Sequence, residues 1–172
     1  MRIDPLDAAD CPEIGEVMRE NYAAAFGLSM SAAALDGIMA RLTADRIAAA
    51  MQDARFLGVR SAGTLAGFVQ WNPPSPALRA QAGLPPDATA AELSRLYVRP
   101  ALLGGGIGSA LLDAALARIA ASPVLLDVWE RNDGAIRLYR SRGFAVIADQ
   151  RPVFADGPAA DRDLIMLRPG GA

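Results

Sequence analysis

Between residues 99 and 116 the chain reads RPALLGGGIGSALLDAAL, with four glycines in the five positions 104 to 108 running straight into an apolar pattern of helical spacing. Glycine loses more backbone entropy on ordering than any other residue. A cluster of it at the point where a strand (ELSRLYV, 92 to 98) hands over to a helix marks a turn that needs positive φ or close approach by a ligand. The helix is read from Ile107, Leu111, Leu112, Ala115 and Ile119, which share one stripe that ends near Ala121. Strand, turn and helix in that order restrict the chain to the α/β or α+β classes.

The flanking sequence extends this pattern. MRID reads as a short first strand, and Asp7 or Asp10 caps a helix through CPEIGEVMRENYAAAF, with Ile14, Val17, Met18 and Tyr22 on one face. Ser31 is placed to cap a second helix over 31 to 52, with Leu35, Ile38, Met39 and Leu42 in a stripe. RFLGVRSAGTLAGFVQW then reads as a hairpin around Ser61, Ala62 and Gly63. A Pro-rich connection, 72 to 91, is either a functional lid or a surface insertion. PVLLDVWE is a buried strand, NDGAIRLYRSRG a short helix closed by Gly143, and FAVIADQRPVF and RDLIML are the last two strands. The predicted order is β-α-α-β-β-β-α-β-α-β-β around a mixed sheet, in one domain spanning 1–172.

Composition narrows the chemistry. There is no His and no Lys, and Cys11 is the single cysteine. Ser-His and Cys-His nucleophile schemes, lysine Schiff bases and internal disulfides are thereby excluded, and metal sites lose their commonest ligand, so no metal is expected. Cys11 lies beside Asp10 and Glu13, with no cation next to it in sequence to activate the thiol. All seventeen cations are Arg, spread without a basic block over a chain of net charge −2, which argues against nucleic acid as a partner. The Ala-rich, Arg-only composition fits a GC-rich bacterial genome. Apolar runs are too short to span a membrane and the N-terminus lacks a signal-peptide core, so a cytoplasmic protein is expected.

Free amides at a glycine turn and the positive end of a helix dipole suit a phosphate. A Walker A loop is excluded because Gly108-Ser109 lacks the lysine. A dinucleotide fingerprint needs glycine at Ser109 or Leu111, and five residues separate the strand from Gly104. A tight turn with no ligand stays open as the plain alternative.

Leu103-Gly104-Gly105-Gly106-Ile107-Gly108 resembles the pyrophosphate loop Gln/Arg-x-x-Gly-x-Gly/Ala of the GNAT superfamily of acyl-CoA-dependent N-acetyltransferases, with Leu103 at the polar position and Gly105 at one that is commonly basic. LDVWERNDGAIRLYRSRGF, 126 to 144, is similar to that family's V-x-x-x-N-x-x-A-x-x-x-Y-x-x-x-G-F segment through Val128, Asn132, Ala135, Tyr139, Gly143 and Phe144. LSRLYV and DRDLIM resemble the family's central and closing strands, and Trp129-Glu130 leans toward the bacterial subgroup that includes polyamine acetyltransferases.

The resemblance implies a mostly antiparallel sheet whose one parallel pair, 92 to 98 and 123 to 129, splays around the pantetheine arm of acetyl-CoA. It implies transfer of an acetyl group to a primary amine by direct attack in a ternary complex, which requires a neutral amine, a stabilised oxyanion and a proton for the departing thiolate. Tyr97 and Val98 would bind the arm through their backbone, Leu103 to Ser109 the diphosphate, and Asn132, Ala135 and Tyr139 would lie along the cofactor. Tyr139 takes the place of the general acid. Glu92 is the first candidate base and Glu130 the reserve, while Arg99, Arg137, Arg140 and Arg142 are candidates for CoA phosphates. An acyl-CoA-binding module with little catalysis is the alternative. The acceptor stays open among polyamine, amino acid, drug amine and protein N-terminus, shaped by 23 to 31 and 72 to 91, and a homodimer is left open by analogy with relatives.

Overall fold

The computed structural model describes residues 1–26, 32–119, 121–154, 157–158 and 160–171. In chain order its elements are β1 (Ile3–Pro5), a 3-10 turn (Ala8–Asp10), α1 (Cys11–Phe26), α2 (Ala32–Met39), α3 (Ala44–Ala50), β2 (Arg55–Ser61), β3 (Thr64–Asn72), α4 (Pro76–Gln81), β4 (Ala91–Val98), a 3-10 turn (Pro100–Leu102), α5 (Ile107–Ile119), β5 (Val124–Trp129), α6 (Asp133–Arg140), β6 (Ala145–Gln150), β7 (Val153–Phe154), β8 (Gly157–Pro158) and β9 (Asp163–Arg168). A seven-stranded sheet has the order β1-β2-β3-β4-β5-β9-β6. β4 and β5 are parallel, while β1-β2, β2-β3, β5-β9 and β6-β9 are antiparallel. The mixed, mostly antiparallel sheet with one parallel pair is the expected fold class. No helix among the described residues is long and apolar enough to cross a membrane.

The chain forms two compact units, Met1–Trp71 with Arg95–Leu116, and Asn72–Ser94 with Ala117–Ala172. In the first, Ile14, Val17 and Met18 of α1 pack with Leu42, Ile47, Phe56, Leu65 and Phe68, as the helical spacing predicts. Asp7 caps the 3-10 turn ahead of α1, accepting from Ala9 N–H at 2.8 Å. The hairpin turn is closed by Ala62 at φ 50° and Gly63 at φ 85°, the left-handed pair whose twist suits a two-residue connection. α1 is tied to the hairpin by Glu13, which accepts from Leu65 N–H at 2.7 Å and from Arg60 at 2.8 Å. Those donors hold the Glu13 carboxyl below its usual range.

In the second unit, Leu78, Leu125 and Ile165 form a buried cluster. β5 pairs β9 along its whole length, from Val124↔Arg168 to Trp129↔Asp163.

Three elements differ from the sequence reading. The single helix expected over 31 to 52 is two, because Thr43 is extended (φ −94°, ψ 151°) and its hydroxyl caps α3 by accepting from Arg46 N–H. Ser31, the expected cap, lies outside the described residues. The Pro-rich connection contains α4, with Ser75 as N-cap and Pro76 at the first helical position. The strand expected through FAVIADQRPVF is β6 and a separate β7, which pairs β8 instead.

Candidate active site

The glycine turn belongs to the first unit. Gly104 and Gly106 have φ of +83° and +78°, and a Cβ built on either would meet nothing within 4 Å. These glycines are therefore required by backbone conformation, and space around them is open. Gly105 is not left-handed, and its Cβ would stand an ordinary 3.4 Å from Leu102 O. The first bond of α5 from outside the helix runs from Ala110 N–H to Gly106 O at 3.0 Å. Among the described residues the amides of Gly104, Gly105, Gly106, Ile107, Gly108 and Ser109 make no hydrogen bond within the protein. Six consecutive free amides beside open space at a helix start are donors of the kind that suits a phosphate group. Leu103, 67% exposed, adds no polar contact there.

Upstream, the end of β4 is fixed on both sides of one peptide group. Val98 O accepts from Asn21 Nδ2 at 3.1 Å, and Arg99 N–H donates to Ala66 O at 2.8 Å. A Cβ on Gly67 would fall 2.7 Å from Tyr97 O, so only glycine permits that approach. The Tyr97 ring lies edge-on to Phe68 (5.8 Å) and Tyr22 (6.2 Å) within the core. Its side chain is structural. Arg99 is engaged as well: it donates to Leu65 O at 2.7 Å and pairs with Glu20 and Glu16 of α1. It is therefore a mooring for the loop root, where the sequence suggested a phosphate ligand. Asn21 and Gly67 were not singled out from sequence; their roles depend on contacts distant along the chain.

The second unit carries the other candidates. Asn132 caps α6, accepting from Ala135 N–H at 3.1 Å, and Gly143 closes the turn at φ +85°. Tyr139, at the end of the second turn, is 6% exposed and packs against Phe144 with ring centroids 5.7 Å apart. Burial, with a smaller contribution from the charge of Asp127, drives its phenol pKa well above the ordinary value, so the hydroxyl keeps its proton through the neutral range. Glu92 enters the parallel pair at Glu92↔Leu125. Its carboxylate accepts from Ser75 N–H at 3.1 Å, and Ser94 lies 3.5 Å away. Glu130, the reserve base, accepts from Arg162 N–H at 2.8 Å and joins the end of β5 to the start of β9. Arg137 and Arg140 are exposed on α6, and Arg142 donates to Ser141 Oγ at 2.8 Å.

Cys11, in the first unit, is buried, and burial followed by the charges of Asp10 and Asp7 pushes its thiol up, away from acyl-carrier chemistry. Asp163 is half-buried in the second unit. Burial, then Asp127 and Glu130, raise its carboxyl to about 6. The folded state therefore holds a proton that the unfolded chain releases near pH 4, and stability falls as pH rises from about 4 to 6. Asp163→Asn is expected to raise Tm by about 2–4 °C at pH 7.5, corresponding to roughly 1 kcal/mol after discounting for solvent screening, and by less at pH 4.5. Melting curves at the two pH values check this; an equal gain at both would assign the effect to something other than the charge.

The fold is shared with N-acetyltransferases of known structure. PaiA N-acetyltransferase from Thermoplasma acidophilum, solved with coenzyme A, is 22% identical, with 98% of this chain and 99% of that one covered and a TM-score of 0.71. A histone acetyltransferase HPA2-related protein from Corynebacterium glutamicum is 22% identical (99% and 96% covered, TM-score 0.73), and a ribosomal-protein-alanine N-acetyltransferase from Brucella melitensis 20% (98% and 99%, TM-score 0.67). A search of curated protein sequences finds no significant match. The acetyltransferase (GNAT) family model matches residues 20–144, and the chain belongs to that family. It is an acetyl-CoA-dependent acyltransferase.

Proposed function

We propose that residues 1–172 act as one N-acetyltransferase domain that moves an acetyl group from acetyl-CoA to a primary amine by direct attack in a ternary complex. The observation that carries this reading is the run of free amides from Gly104 to Ser109, a cradle with no internal use. The co-substrate supplies the acyl group already activated as a thioester. The amides of Gly104 to Ser109 hold its diphosphate, the Leu103 N–H being taken by Pro100 O at 3.3 Å, and the backbone of Tyr97 and Val98 positions the pantetheine arm and polarises the carbonyl. Asn132 and Ala135 set the start of α6, and Tyr139 donates its phenolic proton to the departing sulfur. Glu92 accepts the amine proton through water.

Acetyl-CoA is expected to raise Tm while NAD does not, and thiol release over an amine panel is expected to identify the acceptor. Stabilisation by NAD alone overturns the reading. Thermal stabilisation by acetyl-CoA without thiol release from any amine favours the acyl-CoA-binding alternative, for which the exposed Leu103 and the engagement of Glu92 by Ser75 speak.

Glu92→Gln keeps an oxygen for Ser75 N–H and removes the base. It is expected to lower kcat about tenfold at pH 7 with a smaller loss at pH 9, where more of the amine is already neutral. An unchanged kcat removes Glu92 from the chemistry.

A further inference from the structure

The first unit contains a pocket of about 70 Å³ whose wall includes Met18 and Phe56 on its apolar side and Gln70, Arg41, Arg46 and Arg95 on its polar side. Roughly 10–15 Å³ of such volume accommodates a water, so there is room for a small organic group. Arg95 is half-buried on β4 and donates to Oε1 of the buried Gln70 at 2.6 Å. That bond fixes one end of the guanidinium. Among the described residues neither Arg41 nor Arg46 has a side-chain hydrogen bond or ion pair, Arg95 has no ion pair, and no carboxylate lines the pocket. Elsewhere in the unit Arg60 is paired with Asp10 and Glu13 and Arg99 with Glu16 and Glu20, while Arg19 and Arg55 each donate to a backbone carbonyl, of Leu42 and Ala54. Three cations gathered around one cavity without a counter-charge repel one another, and an anion entering it would relieve that repulsion. Arg95 also stands two residues before Tyr97 on β4, the strand whose backbone the proposed function assigns to the acetyl donor.

We propose that this pocket binds the anionic group of the acceptor, so that the substrate class is an amine carrying a carboxylate or a phosphate. The Arg-rich wall takes the anion by charge-assisted hydrogen bonds, and the apolar wall takes the carbon skeleton. The assignment of the ligand as acceptor rests on the acetyl-transfer reading; the anion site itself does not.

The test uses matched amines: glycine with methylamine, phenylalanine with phenethylamine, and O-phosphoethanolamine with ethanolamine. The wild type is expected to favour the anionic member of at least one pair by about 10- to 100-fold in kcat/KM, the scale of one charged hydrogen bond. A carboxylate preference and a phosphate preference distinguish the two sources. Arg46→Gln and Arg95→Gln should reduce the preference about tenfold, mainly through KM, while Arg2→Gln, at an exposed site, retains it. Equal turnover of both members of every pair, or a preference unaltered in both pocket variants, overturns the proposal. So does a loss confined to acetyl-CoA affinity, which would assign the arginines to the donor. Calorimetric titration of the wild type with glycine, phenylalanine and O-phosphoethanolamine separates the two readings. No binding of any of the three overturns the pocket even where plain amines are acetylated, whereas binding that Arg46→Gln weakens, with no amine acetylated, overturns acetyl transfer and leaves the anion site standing.

Discussion

Tyr139→Phe is expected to lower kcat by about 100-fold or more, within the range of a lost general acid, while acetyl-CoA affinity changes less than about threefold. The substitution removes one oxygen from a ring that is otherwise held by packing against Phe144, so the helix and its cap should survive. Burial and the nearby Asp127 hold the phenol proton, which gives the expectation a second signature. An acid must be protonated to work, so the alkaline limb set by Tyr139 lies above pH 10 in the wild type. kcat should then stay level through pH 9 to 10. Single-turnover and steady-state kinetics over pH 6 to 10 check both parts, and an unchanged kcat in the variant ends the role proposed for Tyr139.

Gly106→Val is expected to weaken acetyl-CoA binding by at least about 100-fold. At φ +78° a β-branched residue is strained by roughly 1–2 kcal/mol or more, and relief of that strain reorients the amides flanking residue 106. No neighbour lies within 4 Å of the new Cβ, so folding loses only the backbone strain and a folded variant is expected, with Tm a few degrees lower. Gly105→Arg is the counterpart. Its backbone accepts an L-residue, and a cation there should tighten binding about 3- to 10-fold. Titration calorimetry on both variants is the measurement. Wild-type affinity in a folded Gly106→Val protein would mean that the diphosphate is held elsewhere.

Local signals carried much of the fold. The spacing of Ile14, Val17 and Met18, the Ala62-Gly63 turn, the Asn132 cap and the Gly143 terminator each act within a few residues, and the structure follows them. The break at Thr43 was hidden because residues 32 to 50 are Ala-rich on both sides of it; it depends on one hydroxyl and on burial of Leu42. α4 was masked by the prolines around it, although Ser75-Pro76 is a helix start. At the candidate site the glycines were legible because their conformation is intrinsic. The roles of the arginines were not: Arg99 finds Glu16 and Glu20 about eighty positions away, and Arg41, Arg46 and Arg95 meet only through the fold.

The tethering of Arg99 has a bearing on how the loop discriminates among anions. With its guanidinium committed to Leu65, Glu16 and Glu20, the loop root has no swinging cation to follow a phosphate of arbitrary shape. What the loop offers is a rigid comb of neutral dipoles, whose attraction fades little with ionic strength and depends steeply on the angle of approach. On the proposed function, selectivity there would be written in stereochemistry, favouring a bent diphosphate over a free counter-ion of the same charge.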